Sequence, residues 1–173
     1  MQLVCPAGNL PALKAAVEAG ANAVYAGFRD QTNARAFPGL NFSDDELKAG
    51  IGFAHARGAK VYLALNTYPD SVRLAQWHAA VDKAAEFGCD AIIAAEMAVL
   101  DYAARTHPSL ARHLSVQGSA TTEPALRYAY ERFGISRAVL PRVLSIQQVE
   151  RLCERAPVPL EVSPTIQRTV SPA

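Results

Sequence analysis

Nine polar side chains stand where chemistry can be done: Asn9, Asn33, Arg35, Asn66, Glu96, Gln117, Ser119, Arg142 and Glu161. Each falls at the end of a short apolar run, inside its last residues, or in the loop that follows. In parallel α/β barrels function gathers at those ends, so the nine form one candidate pocket, with Thr67 and Thr121 beside it. Asn9 also reads as a helix cap. An asparagine that ends an apolar strand is costly unless paired, so Asn66 either binds a ligand or satisfies loop backbone. Gln117 and Ser119 close the fifth apolar run. Arg142 follows a proline and suits two-pronged binding of an anion, or an ion pair with Glu161 or Glu96. Glu161, flanked by apolar residues, is a paired carboxylate or a site residue. No catalytic role is assigned, because a Ser-His-Asp order, H-E-x-x-H, a P-loop and G-x-G-x-x-G are all missing. Of the histidines, His55 and His78 fall within helices, while His107 and His113 flank a loop. Cys5, Cys89 and Cys153 lie far apart, without metal-ligand spacing, and read as reduced, buried thiols. No metal ligand is assigned.

The elements that would position these residues are legible from a repeated device. A helical stretch ends at glycine, two or three residues follow, and an apolar β-rich run begins: EAGANAVYAG at Gly20, HARGAKVYLAL at Gly58, EFGCDAIIAA at Gly88 and RFGISRAVLP at Gly134. Glycine suits the left-handed residue past a helix end, and unbroken apolar runs suit parallel strands covered on both faces. Ser43 to Glu46 and Ser145 to Gln148 are capping boxes, with Phe42/Leu47 and Leu144/Val149 as hydrophobic staples. Asn9, Asp70 and Thr122 are further caps. The resulting strands are residues 3–5, 23–27, 60–66, 91–95, 113–117, 138–141 and 160–162. Helices lie between them, and a long loop fills 29–41. Strict βα alternation predicts an α/β fold with right-handed crossovers. The expectation is an incomplete (βα)8 TIM-like barrel of about seven parallel strands, with strand 8 missing. An open doubly wound sheet is the alternative. A complete barrel typically takes ~250 residues, against 173 here. Residues 1–162 are expected to form the partial barrel domain, and 163–173 a disordered tail.

Composition bounds the function classes. Half the residues are hydrophobic, 19% are charged and the net charge is +1. That is a globular chain with no global field for nucleic acid or an anionic membrane. It has no apolar run of transmembrane length and no signal peptide, so a cytoplasmic location without nucleic-acid partners is expected.

The opening LVCPAGNLPALKAAVEAGANAVYAG resembles the start of the peptidase U32 family. TNARAFPGLNFSDDEL, NTYP, HLSVQGSATT, RAVLPRVLS and PVPLEV resemble its UbiU-like branch, in order and in spacing, from residue 1 to about 162. The resemblance implies a cytoplasmic (βα)-barrel core followed by a further C-terminal region. It implies a heterodimer with a homologous UbiV-like partner and oxygen-independent hydroxylation in ubiquinone biosynthesis. The small molecules implied are a quinone precursor and prephenate, the source of the oxygen. A [4Fe–4S] cluster on four cysteines is expected for the full-length family member. Other relatives act in RNA base hydroxylation, and older usage calls the family collagenase-like peptidases. Glu161 occupies the first position of the family signature, but Ser163-Pro164-Thr165 departs from its continuation. None of the three cysteines corresponds to a cluster ligand, so no cluster is expected on this chain, which reads as a truncated, inactive form. A cluster-free scaffold module is the rival reading.

Overall fold

The computed structural model describes residues 2–70 and 72–162. Seven strands alternate with six α-helices: β1 (Val4–Pro6), α1 (Leu10–Glu18), β2 (Ala23–Ala26), α2 (Asp44–His55), β3 (Lys60–Leu65), α3 (Leu74–Phe87), β4 (Ala91–Ala94), α4 (Met97–Thr106), β5 (Ala111–Leu114), α5 (Glu123–Phe133), β6 (Arg137–Val139), α6 (Ile146–Arg155) and β7 (Leu160–Glu161). A single 3-10 turn, Val116–Gly118, follows β5. All neighbouring strands pair in parallel, in the order β1-β2-β3-β4-β5-β6-β7. The sheet curls into an incomplete barrel with its helices outside, as the alternation predicts, and no eighth strand is present among the described residues. The expected tail, 163–173, lies outside them.

The sequence devices account for the helices. Asn9 accepts from the Ala12 N–H and caps α1. Both capping boxes form, Ser43 with Glu46 on α2 and Ser145 with Gln148 on α6. Thr122 caps α5, and Gly88 and Gly134 take the left-handed C-cap positions of α3 and α5. One cap differs. The Asp70 carboxylate accepts from the Val72 and Arg73 N–H groups, which ties a turn and delays α3 to Leu74.

Two strands also differ. β5 begins at residue 111 and ends at 114, two to three residues before the expected span. The Ser115 hydroxyl accepts from the Gln117 N–H and bends the chain into the 3-10 turn. β6 starts one residue early, at Arg137, and ends at Val139.

The main core lies between sheet and helices. Val24, Val61, Leu63, Leu65, Ile92 and Ala94 on the strands meet Leu13, Leu47, Trp77, Val81, Leu100 and Leu126 on the helices. A second, smaller cluster of Ala23, Tyr62, Ala91 and Ile93 lies on the opposite, inner face. Side chains alternate along a strand, so these two clusters are the two faces of one curled sheet.

Candidate functional site

The loop after β2 builds the mouth. Asn33 is buried and its Nδ2 donates to the Asn41 Oδ1 at 2.9 Å, while its Oδ1 accepts from the Arg35 N–H at 3.1 Å. Asn41, at φ 73°, returns its own Nδ2 to the Arg35 carbonyl at 2.7 Å. Asparagine tolerates that left-handed backbone better than most residues. Gly27 makes the arrangement possible, because a Cβ there would stand 2.0 Å from the Asn33 Nδ2. The Asn66 Oδ1 accepts from the Ala34 N–H at 2.9 Å. The Thr67 hydroxyl donates to the Gln31 carbonyl at 2.5 Å, and Arg73 binds the Gln31 side chain. The Tyr68 hydroxyl reaches the Gln117 carbonyl at 2.6 Å. These bonds stitch the loops after β2, β3 and β5 into one rim.

Of the nine candidates, Asn33, Arg35 and Asn66 therefore come together, and Gln117 and Ser119 join them through Tyr68. Asn9 serves α1 as its cap, and Glu96 caps α4 by accepting from the Ala98 N–H at 3.2 Å. Arg142 is exposed beyond β6. Glu161 is paired, with Arg137 at 3.2 Å. The thiols also differ from expectation. Cys89 is buried, which raises its pKa to about 12, whereas Cys5 is half-buried and Cys153 is exposed on α6. They sit on separate elements, and no group of three His, Cys, Asp or Glu side chains able to hold a metal occurs among the described residues. These residues do not fit a [4Fe–4S] cluster, which as a rule takes four thiolates.

Below the rim, the inner face of the sheet sets polar side chains beside its small apolar cluster. Parallel register aligns Tyr25, Tyr62, Ala91 and Ala111 in one row, and Ala64, Ile93, His113 and Arg137 in the next. Val139 and Glu161 pair above them. The Arg35 guanidinium donates to the Tyr25 hydroxyl at 3.2 Å and so ties the rim to this wall. Tyr62 and His113 pack edge to face with ring centres 4.7 Å apart. The Arg137 guanidinium lies 5.8 Å from the Tyr62 ring centre. It also donates to the Gln2 Oε1 at 2.5 Å, which belongs to the chain entering β1. His113 is 5% exposed. Burial first, and then the charges of Arg137 and Lys60, push its pKa down to about 4, so the imidazole is neutral at ordinary pH. Burial likewise raises the Tyr62 pKa. The wall thus offers neutral hydrogen-bonding rings beside a compensated ion pair.

Sequence reading placed His113 beside a loop and missed it. The fifth strand was expected to begin at His113, but only the register of β4, β5 and β6 shows that its side chain faces inward. A separate cleft of about 370 Å³ opens outside the barrel between α2 and α3, over Phe28, Phe42 and Gln76. Its cations are already matched, Lys83 by Asp44 and Arg29 by Glu46, so it has less to offer a charged ligand than the mouth.

The chain has relatives. The pattern of peptidase family U32 matches residues 8–163. A protein of Helicobacter pylori (strain ATCC 700392 / 26695) named tRNA hydroxylation protein P is 34% identical over 91% of this chain and 37% of its own length. The protein of the same name in Escherichia coli (strain K12) is 30% identical over 90% of this chain and 34% of its own. The chain thus spans about a third of the length of these curated relatives. The solved structure of the U32 peptidase Mk0906 superposes with a TM-score of 0.76 at 16% identity, over 94% of this chain and 68% of that one. At that identity the likeness concerns the fold alone.

Proposed function

The chain belongs to peptidase family U32, and from that premise we propose that it forms the barrel part of a protein acting in hydroxylation, with tRNA as the substrate. What supports this reading is the shared name of relatives that align over about nine-tenths of the chain. The stitched rim and the polar side chains below it are the groups that such a substrate would meet at the mouth.

A second reading keeps hydroxylation and changes the substrate. The segments NTYP, HLSVQGSATT and RAVLPRVLS favour a quinone precursor, with a UbiV-like partner and prephenate as oxygen source. The net charge of +1 also suits a small neutral substrate better than a polyanion. A [4Fe–4S] cluster, in either reading, would be carried by parts of the protein other than the residues described. Proteolysis has the weakest support, since among the described residues no hydrogen bond joins a serine or cysteine to a histidine; His55 and His107 pair with Asp90 and Asp82.

Deleting the gene in its own host, followed by anoxic growth, separates the readings. Mass spectrometry of digested tRNA should show loss of a hydroxylated nucleoside with quinones unchanged. Loss of quinone with intact tRNA would select the second reading. Unchanged tRNA and quinone together would end both.

A further inference from the structure

We propose that the inner wall carries a site for one neutral planar ring bearing a carbonyl-type oxygen, and that His113 reads that oxygen through its Nε2–H. The inference deepens the hydroxylation reading by naming the group presented to the barrel, and in that respect rests on it.

Barrel interiors are normally filled by layers of branched aliphatic side chains. Here alanine occupies the inward positions around the rings: Ala64 on β3, Ala91 on β4 and Ala111 on β5. Tyr62, His113 and Arg137 stand beside them and beside Ile93, so the wall sets hydrogen-bonding side chains among small ones where a barrel normally packs branched aliphatics. The Nδ1 of His113 is sealed from solvent and has no partner. A buried polar atom without a partner calls for an explanation. Among the described residues the Nε2 makes no hydrogen bond either, and it is not sealed from solvent as Nδ1 is.

A neutral imidazole carries its proton on one nitrogen only. Buried orphan N–H groups are rarer than under-satisfied acceptors, which assigns the proton to Nε2 and leaves a lone pair on Nδ1. The lumen then faces a donor, and the matching ligand atom is an acceptor. The charge of Arg137 is already held by Glu161 and Gln2, which selects a neutral ligand over an anion. The edge-to-face rings of Tyr62 and His113 make a right-angled corner that suits a flat molecule. A nucleobase and a quinone both present this chemistry.

The test uses the complete protein as its gene encodes it, uniformly ¹⁵N-labelled. In the free protein the His113 Nε2 should resonate as a protonated, pyrrole-type nitrogen. Titration with 2-pyridone, the minimal neutral ring carbonyl, should move that resonance to saturation; uracil and duroquinone then tell the nucleobase from the quinone. His113→Phe keeps the ring but should weaken binding roughly tenfold, the loss of one hydrogen bond. His113→Gln keeps a donor and should retain most of the affinity, and thermal unfolding confirms that both variants fold. A pyridine-type Nε2, no saturable shift with any of the three rings, or wild-type affinity in His113→Phe would overturn the site. Ring binding that depends on His113, in a protein whose deletion leaves tRNA and quinone unchanged, would overturn the hydroxylation reading and uphold this one.

Discussion

At Gly27 and Asn33, two residues share a space that admits only one side chain. A Cβ on Gly27 would overlap the Asn33 amide, and that amide holds Asn41 in its left-handed turn. Gly27→Ala is expected to cost about 1–3 kcal/mol by overpacking, and Asn33→Ala a similar amount by orphaning the Asn41 Oδ1. The double variant should cost clearly less than the sum, because removing the amide frees the space. Urea midpoints across the cycle check this. His113 supplies a pH signature at the same scale. Its pKa falls from an unfolded value near 6.5 to about 4, so between those values the unfolded chain binds more protons and stability rises with pH. The imidazole's contribution is complete above pH ~6.5 and is lost on acidification toward pH 4, on the order of 3 kcal/mol. In His113→Gln that part of the slope should vanish, as read from unfolding midpoints at pH 4, 5, 6 and 7. An equal slope in both proteins would refute the burial argument.

The helices differ in what holds them. Leu47, Gly50, Ile51 and Ala54 anchor α2 in the core, whereas α6 buries only Leu152 and leaves Ile146 79% exposed. Their capping boxes are alike, so equal lesions should have unequal local effects. Ser43→Ala and Ser145→Ala should each cost about 1 kcal/mol. Only Ser145→Ala should speed amide exchange along its helix at residues 148–155, since little packing remains to oppose fraying. Equal exchange in both variants would refute that contrast. Elements of this kind were readable from sequence because caps, staples and C-terminal glycines are local devices. α5 and α6 start at their expected caps, Thr122 and Ser145, for that reason. β5 was placed two to three residues late, because Arg112 interrupts the apolar phase of the strand. Its guanidinium reaches back to the carbonyls of Leu110, Phe133 and Gly134, a long-range contact that no periodicity records. The same blind spot hid the candidate site's inner wall. Rim residues announce themselves as polar side chains after apolar runs. His113, Tyr62 and Arg137 acquire meaning only when register sets them side by side.

For the whole molecule, the telling contact spans 135 positions in the chain. Arg137 on β6 donates to Glu161 on the last strand and to Gln2 ahead of the first, so one guanidinium joins both ends of the curled sheet. Among the described residues, this contact and the helices outside brace the curl of the seven-stranded sheet. Arg137 and Glu161 are 17% and 23% exposed, so removing the cation leaves a carboxylate largely shielded from water. Arg137→Met is therefore expected to cost about 2–3 kcal/mol, somewhat below the loss from breaking a fully buried pair. Pairing it with Glu161→Met replaces two matched charges by apolar surface of similar length and should restore most of that loss. The amides of Val4 and Cys5 should exchange faster in both variants, because each lacks the anchor on Gln2. If the double variant is as unstable as Arg137→Met alone, the ion pair is not what holds the carboxylate. If β1 exchange does not change, Arg137 does not couple the two ends of the sheet.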